Sequence, residues 1–161
     1  MFGRKVNVHT TGAHQIRFTG VFDLDRLYSE LCNWLKTHDY DFYESKHADK
    51  DNPRGKEIQY VIEGEREVTD YFKYYLKMFL FIQYLNPVSD NLVKGVVKLN
   101  FSGYVALDWA GKWGHTAFTN FLFKIYNNHV IKAKIERHRS ILFGDLSEFQ
   151  DVAKDVLEFN R

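Results

Sequence analysis

From Tyr71 to Tyr84 the even positions, Phe72, Tyr74, Leu76, Met78, Leu80, Ile82 and Tyr84, form one unbroken apolar and aromatic row. A period of two held that long fits a β-strand and no helix. The odd positions change character midway. Tyr71, Lys73, Tyr75 and Lys77 alternate aromatic with charged, whereas Phe79 and Phe81 are fully apolar. A strand apolar on both sides is covered on both sides, by its own fold or by another subunit. This segment therefore commits the chain to a sheet with two faces to account for.

The neighbouring segments supply the rest of the sheet. Tyr40 and Phe42 share one side of residues 40–47, and Ile58, Tyr60 and Ile62 oppose Glu57, Gln59 and Glu63 across 56–64. Ala48 to Gly55 reads as a loop and Asn86 to Asn91 as a turn. Beyond the turn, Val97, Leu99, Phe101, Val105, Leu107 and Trp109 alternate with Lys98, Asn100, Ser102 and Asp108, and Gly95 and Gly103 mark bulges or bends. Two strands this long would each reach about 45–55 Å, so they must twist or bend. Residues 1–20 hold two short alternating stretches, Val6 with Val8 and Ile16 with Phe18.

Helical periodicity flanks the sheet. Asp23 is a suitable N-cap for a helix with its stripe at Leu24, Leu27, Tyr28, Leu31, Trp34 and Leu35, and Phe22 with Leu27 has the spacing of a hydrophobic staple. From about Thr116 the period returns to 3.6 through Phe118, Phe121, Leu122, Ile125, Val130 and Ile135, in a run expected to stop at Gly144. Asp145 and Glu148 then have capping-box spacing for a last, shorter helix. The expected fold is α+β: an antiparallel sheet of about four long twisted strands, preceded by one helix and followed by a long helix and a shorter C-terminal helix packed on it. At 161 residues, 1–161 is expected to be a single domain.

Composition narrows function less than fold. With 22 Lys+Arg against 21 Asp+Glu, the net charge of +1 gives no bulk attraction to nucleic acid or to an anionic membrane. One cysteine closes no intramolecular disulfide. The N-terminal MFGRKVNVHT lacks the apolar core of a signal peptide, and Leu76 to Leu85 is about half of what a spanning helix needs. A cytoplasmic protein without a membrane span is the expectation.

Chemistry-bearing motifs are sparse. Gly111-Lys112 lies where a phosphate loop could sit, but Ala106 and Trp113 occupy positions that need glycine and Ser or Thr. The histidines 9, 14, 38, 47, 115, 129 and 138 show no metal-ligand spacing; Glu44 and His47 differ in parity and should point to opposite faces of a strand. Cys32 beside an apolar stripe reads as a small buried hydrophobe. Glu57, Glu63, Glu65, Glu67 and Asp70 read as a solvated strand face and an acidic turn. No nucleophile, base and orienting group can be assembled from local spacing, so no enzyme, cofactor or metal is expected.

Two surfaces remain. Aromatic residues concentrate on the long strand, and Tyr71, Tyr75, Phe79 and Phe81, with Trp113 beyond the next strand, form a candidate protein interface for self-association or for another subunit. Lys124, Lys132, Lys134, Arg137 and Arg139 form a basic helix segment, a candidate for nucleic acid. The acidic Asp145, Glu148, Asp151, Asp155 and Glu158 follow, and two antiparallel helices joined at Gly144 would neutralise one another. Basic residues close to a helix C-terminus would also suit its dipole. A pocket for a small apolar ligand between sheet and long helix is a third expectation.

The runs 65–78, 107–109 and 118–136 resemble stretches of small prokaryotic or viral proteins, a resemblance that brings no function with it. A long helix after a long antiparallel sheet is similar to helix-grip ligand-binding proteins, from which the four-strand order after the first helix departs. The leading expectation is a non-enzymatic structural or interaction protein, a subunit of a homo- or hetero-oligomeric assembly. A nucleic-acid-binding accessory protein and a small-ligand carrier are the alternatives.

Overall fold

A computed structural model of the chain describes residues 6–9, 14–110, 116–126 and 132–158. The order is β1 (Val6–His9), β2 (His14–Phe22), α1 (Leu24–Thr37), β3 (Asp41–Lys50), β4 (Lys56–Glu67), β5 (Phe72–Pro87), β6 (Val93–Leu107), α2 (Ala117–Ile125) and α3 (Lys132–Glu158). The strands make one antiparallel sheet in the order β1-β6-β5-β4-β3, with β2 also paired to β6. Because β1 covers residues 104–107 of β6 and β2 covers 93–101, the two short strands share one edge and the sheet is five strand positions wide. The α+β expectation holds, and the two N-terminal strands complete the sheet.

The even row of β5 lies under the helices. Leu76, Met78, Leu80 and Ile82 are at most 2% exposed, as are Leu27, Leu31 and Leu35 of α1 and Leu142, Leu146 and Phe149 of α3. The start of α1 is as read: the Asp23 carboxylate accepts from Arg26 N at 3.0 Å, and Phe22 and Leu27 are both fully buried. Trp34 stacks on Phe149, with centroids 4.7 Å apart, and Phe149 meets Phe101 of the sheet edge-on at 5.0 Å. These rings tie both helices to one face.

Glycines decide how closely α3 approaches. Leu76 is flanked across the sheet by Gly64 and Gly103. A Cβ on Gly103 would sit 2.8 Å from the Tyr75 carbonyl oxygen and 3.4–3.5 Å from Leu142 and Leu146, so the helix lies where a side chain would otherwise stand. Gly95 marks a bulge, since it alone faces Tyr84 and Leu85 where the register slips between Gln83 and Asn86 and Tyr84 takes a φ of 55°, whereas Gly103 does not. The register also slips between Glu44 and Lys46 and between Lys56 and Ile58.

The helix division differs from the expectation. α3 runs unbroken through Gly144, so the stop expected there does not occur. Leu142 and Leu146, both fully buried, hold the turn on either side of Gly144, so packing overrides the glycine's weak helix propensity. Asp145 caps nothing; its carboxylate accepts from the Tyr40 hydroxyl at 2.7 Å.

An added methyl at Gly144 meets nothing within 4 Å. Gly144→Ala should therefore raise stability by about 1 kcal/mol, the ordinary difference inside a helix. Gly103→Ala should lower it by roughly 1–3 kcal/mol through overpacking. Chemical denaturation of the two variants checks both signs, and a destabilising Gly144→Ala would mean that the helix breaks there.

Candidate functional site

The odd row of β5 stands on the other face of the sheet. Residues directly opposite one another share a face, so the register composes this surface. Lys46, Val61, Phe79, Asn100 and Gln15 form one row, and Ala48, Gln59, Phe81, Lys98 and Arg17 the next. On the other side of Phe79 lie Tyr43, Glu63, Lys77 and Ser102, then Asp41, Glu65, Tyr75 and Tyr104. No described helix covers this face: α1 and α3 pack on the opposite one, and α2 exposes its own Phe118, Phe121, Leu122 and Ile125.

Its centre is aromatic and its surroundings are charged. The Tyr75 and Tyr104 rings stack with centroids 4.8 Å apart and 13° between planes, and Phe79 and Phe81 lie 6.4 Å apart, all four half-buried. Tyr43 is 59% exposed and donates to Glu63 Oε2 at 2.6 Å. Tyr43, Glu63, Glu65, Tyr75, Lys77, Ser102 and Tyr104 surround a depression of about 250 Å³. Lys73 is buried at its end, with its ammonium 3.1 Å from Glu65 Oε1 and 5.0 Å from the Trp109 ring centroid. Trp109 Nε1 donates to the Thr69 carbonyl at 2.7 Å, which fixes the β4–β5 turn against the end of β6.

The structure thus brings Tyr75, Phe79 and Phe81 onto one face and sets Tyr71 apart. Tyr71 meets Phe72 and Tyr126 edge-on, at 5.2 and 6.0 Å, by the turn that leads into β5. Trp113 lies outside the described residues. Tyr43 and Tyr104 belong to the surface too. The alternation carrying Tyr43 opposite Glu63 and Tyr104 opposite Tyr75 was present in the sequence, but only the register shows which rings meet.

The basic segment is also rearranged. Lys124 is on α2, whereas Lys132, Lys134, Arg137 and Arg139 are on the first turns of α3. The acidic residues continue the same helix, so the antiparallel neutralisation expected at Gly144 does not occur. Two of those acids are anchored elsewhere: Asp145 to Tyr40 and, at 3.9 Å, to Arg66; Glu148 to His38 at 3.3 Å. Arg139 pairs with Glu136 at 2.9 Å, while Lys124, Lys132, Lys134 and Arg137 make no ion pair among the described residues. Lys124 stands in the last turn of α2, where it suits the dipole, whereas Lys132 and Lys134 stand in the first turn of α3, where the dipole disfavours them.

The Glu44–His47 parity argument fails for a local reason. The slip at Ser45 restores both residues to the α1 side, where His47 Nδ1 lies 3.3 Å from Glu44 Oε1 and Tyr28 donates to Glu44 Oε2 at 2.5 Å. Tyr60 joins them, its ring 5.2 Å from Tyr28 and 4.5 Å from His47. This cluster lacks an activated nucleophile. Burial holds the Tyr28 and Tyr60 hydroxyls and the Cys32 thiol above their ordinary values, and Glu44 pushes each further the same way. Among the described residues no group of three or more His, Cys, Asp or Glu is placed to hold a metal, and no helix is long and apolar enough to cross a membrane.

No family model and no curated protein matches the chain. Among solved structures it is similar to the di-domain ARO/CYC StfQ from the steffimycin biosynthetic pathway, at 12% identity and a TM-score of 0.24. The match covers 92% of this chain and 51% of that one, so the chain spans about half its length. At that TM-score the likeness carries no argument about fold or activity.

His138 connects the basic turns to the core. Its ring stacks on Phe72 with centroids 4.0 Å apart, and Nδ1 lies 2.6 Å from the Tyr74 hydroxyl, whose pKa burial pushes up to about 12. Burial holds the imidazole below its ordinary 6.5, and the Arg137 and Lys134 charges push the same way. Just below that value the unfolded chain therefore binds the proton more readily than the folded one. Its contribution is complete above about pH 6.5 and is lost as the pH falls from there through the folded-state value. Thermal melts between about pH 7.5 and pH 5 should show a loss for the parent that His138→Gln lacks. Identical slopes would remove His138 from the balance.

Proposed function

We propose that this protein is a non-enzymatic interaction subunit that self-associates through the open face of its sheet. The observation that carries this reading is the position of Phe79 and Phe81: both stand on a face that no described helix covers, on a strand whose other face is sealed. A sheet that buries only one side ordinarily turns polar residues to water on the other. Here the outward row holds Tyr75, Phe79 and Phe81 in succession with Lys77.

Charge is compatible with a second copy as the occupant. The open face carries both signs around its aromatic centre: Glu63 lies 3.6 Å from Lys77 and Glu65 3.1 Å from Lys73, with Lys98 and Arg17 beyond Phe81. A face of mixed charge around an aromatic centre can complement itself, as an isologous pair requires. The same glutamates disfavour a phosphate backbone on this face. Packing of two such faces, about 10 Å apart, would give Phe79 and Phe81 the cover their character calls for.

A second reading has its own support. Lys132, Lys134 and Arg137 are unpaired among the described residues and far along the chain from the anchored acids, which favours an anionic partner such as nucleic acid at the start of α3. The small-ligand reading has less, because Leu76, Met78, Leu142, Leu146 and Phe149 fill the space between sheet and α3.

Light scattering should show an oligomer whose population rises with concentration. Phe79→Lys with Phe81→Lys should shift it to monomer while far-ultraviolet circular dichroism is retained, since both side chains lie outside the helix-covered core. A parent that stays monomeric across the micromolar range would refute the self-association.

A further inference from the structure

We infer that the cleft between the first turns of α3 and the β4–β5 turn binds a phosphorylated nucleoside, with its phosphate at Lys134 and Arg137 and its base against Tyr71 and Tyr126. This assignment rests on the second reading above, that the basic turns meet phosphate, and adds a site and a ligand class to it.

The cleft is about 710 Å³, within the size range of small-molecule sites. Lys134, Arg137 and His138 of α3 line it together with Tyr71, Phe72 and Tyr126, with Thr69 and Asp70 at the turn, and His138 stacks on Phe72 within the lining. Lys134 and Arg137 are three residues apart on a helix, so they project to the same side, and neither has an acidic partner among the described residues. A phosphate would supply the missing counter-charge, with Arg137 suited to two-point contact.

The aromatic part of the lining selects against a bare phosphate. Tyr71 and Tyr126 meet edge-on with centroids 6.0 Å apart, and both line the cleft. Aromatic faces accept any nucleobase by stacking. Asp70 in the same lining adds a negative charge that disfavours a second anion. His138, held neutral against Phe72, gives the floor a flat, uncharged surface. The cleft thus sets two cations beside aromatic rings, which matches phosphate and base in one molecule. Free nucleotide and the end of a single strand share that chemistry.

Titration calorimetry at low salt with adenosine monophosphate, with inorganic phosphate and with a short single-stranded oligonucleotide separates these sources. The nucleotide should bind at least about tenfold more tightly than phosphate. Arg137→Gln should weaken both by about tenfold or more, and Tyr71→Ala should weaken the nucleotide alone, while Lys36→Gln on α1 leaves all three unchanged. An oligonucleotide that binds, is lost in Lys132→Glu with Lys134→Glu, and is indifferent to Tyr71→Ala, with no nucleotide binding, would overturn the cleft and leave the basic-helix reading standing. Phosphate binding as tightly as nucleotide would overturn the nucleoside assignment. Absence of binding by all three would overturn both.

Discussion

The seating of α3 on the sheet at Leu76 is the contact on which the rest of this molecule depends. Gly64 and Gly103 flank Leu76, and at Gly103 the missing side chain admits Leu142 and Leu146 to the strand surface. Trp34 and Phe149 then bring α1 against α3, so all of the described helix packing falls on one side. Each of the buried leucines contributes roughly 1.5–3 kcal/mol. With both helices committed there, neither is left to cover the odd row of β5 beyond Lys73. The open aromatic face follows from the way the first face is closed.

The same helix separates two charge functions by length. Its acidic residues near the middle are structural, since Asp145 and Glu148 hold Tyr40, Arg66 and His38 at the junction of α1, the strands and α3. Its basic first turns extend where burial is slight, apart from Ile135, His138 and Arg139. Near-neutral net charge therefore conceals a helix whose Asp145 and Glu148 are anchored while Lys132, Lys134 and Arg137 make no ion pair among the described residues.

Much of this fold was legible in the sequence because the strongest signals are periodic. The period of two through β5, the stripe of α1 and the cap at Asp23 each place side chains by geometry alone. Gly144 misled because propensity marks it as a stop, while the leucines that hold the helix through it act only once α3 lies on Gly103. The slip at Ser45 had no local signature; one extra residue reverses the parity of everything after it, and Glu44 and His47 meet for that reason. The candidate site was half legible: Tyr75, Phe79 and Phe81 could be assigned a common side, but Tyr43 and Tyr104 join them through register, and Tyr71 leaves them because the turn at Thr69 precedes the strand.

The proposed cover of the open face is a second copy of the chain. Hydroxyl-radical footprinting at low and high protein concentration tests this ring by ring. Self-association predicts that Tyr75, Phe79, Phe81 and Tyr104 lose reactivity as concentration rises, while Phe118 on α2 and Tyr28 on α1 keep theirs. Equal labelling of the Phe79 and Phe81 rings at both concentrations would contradict it.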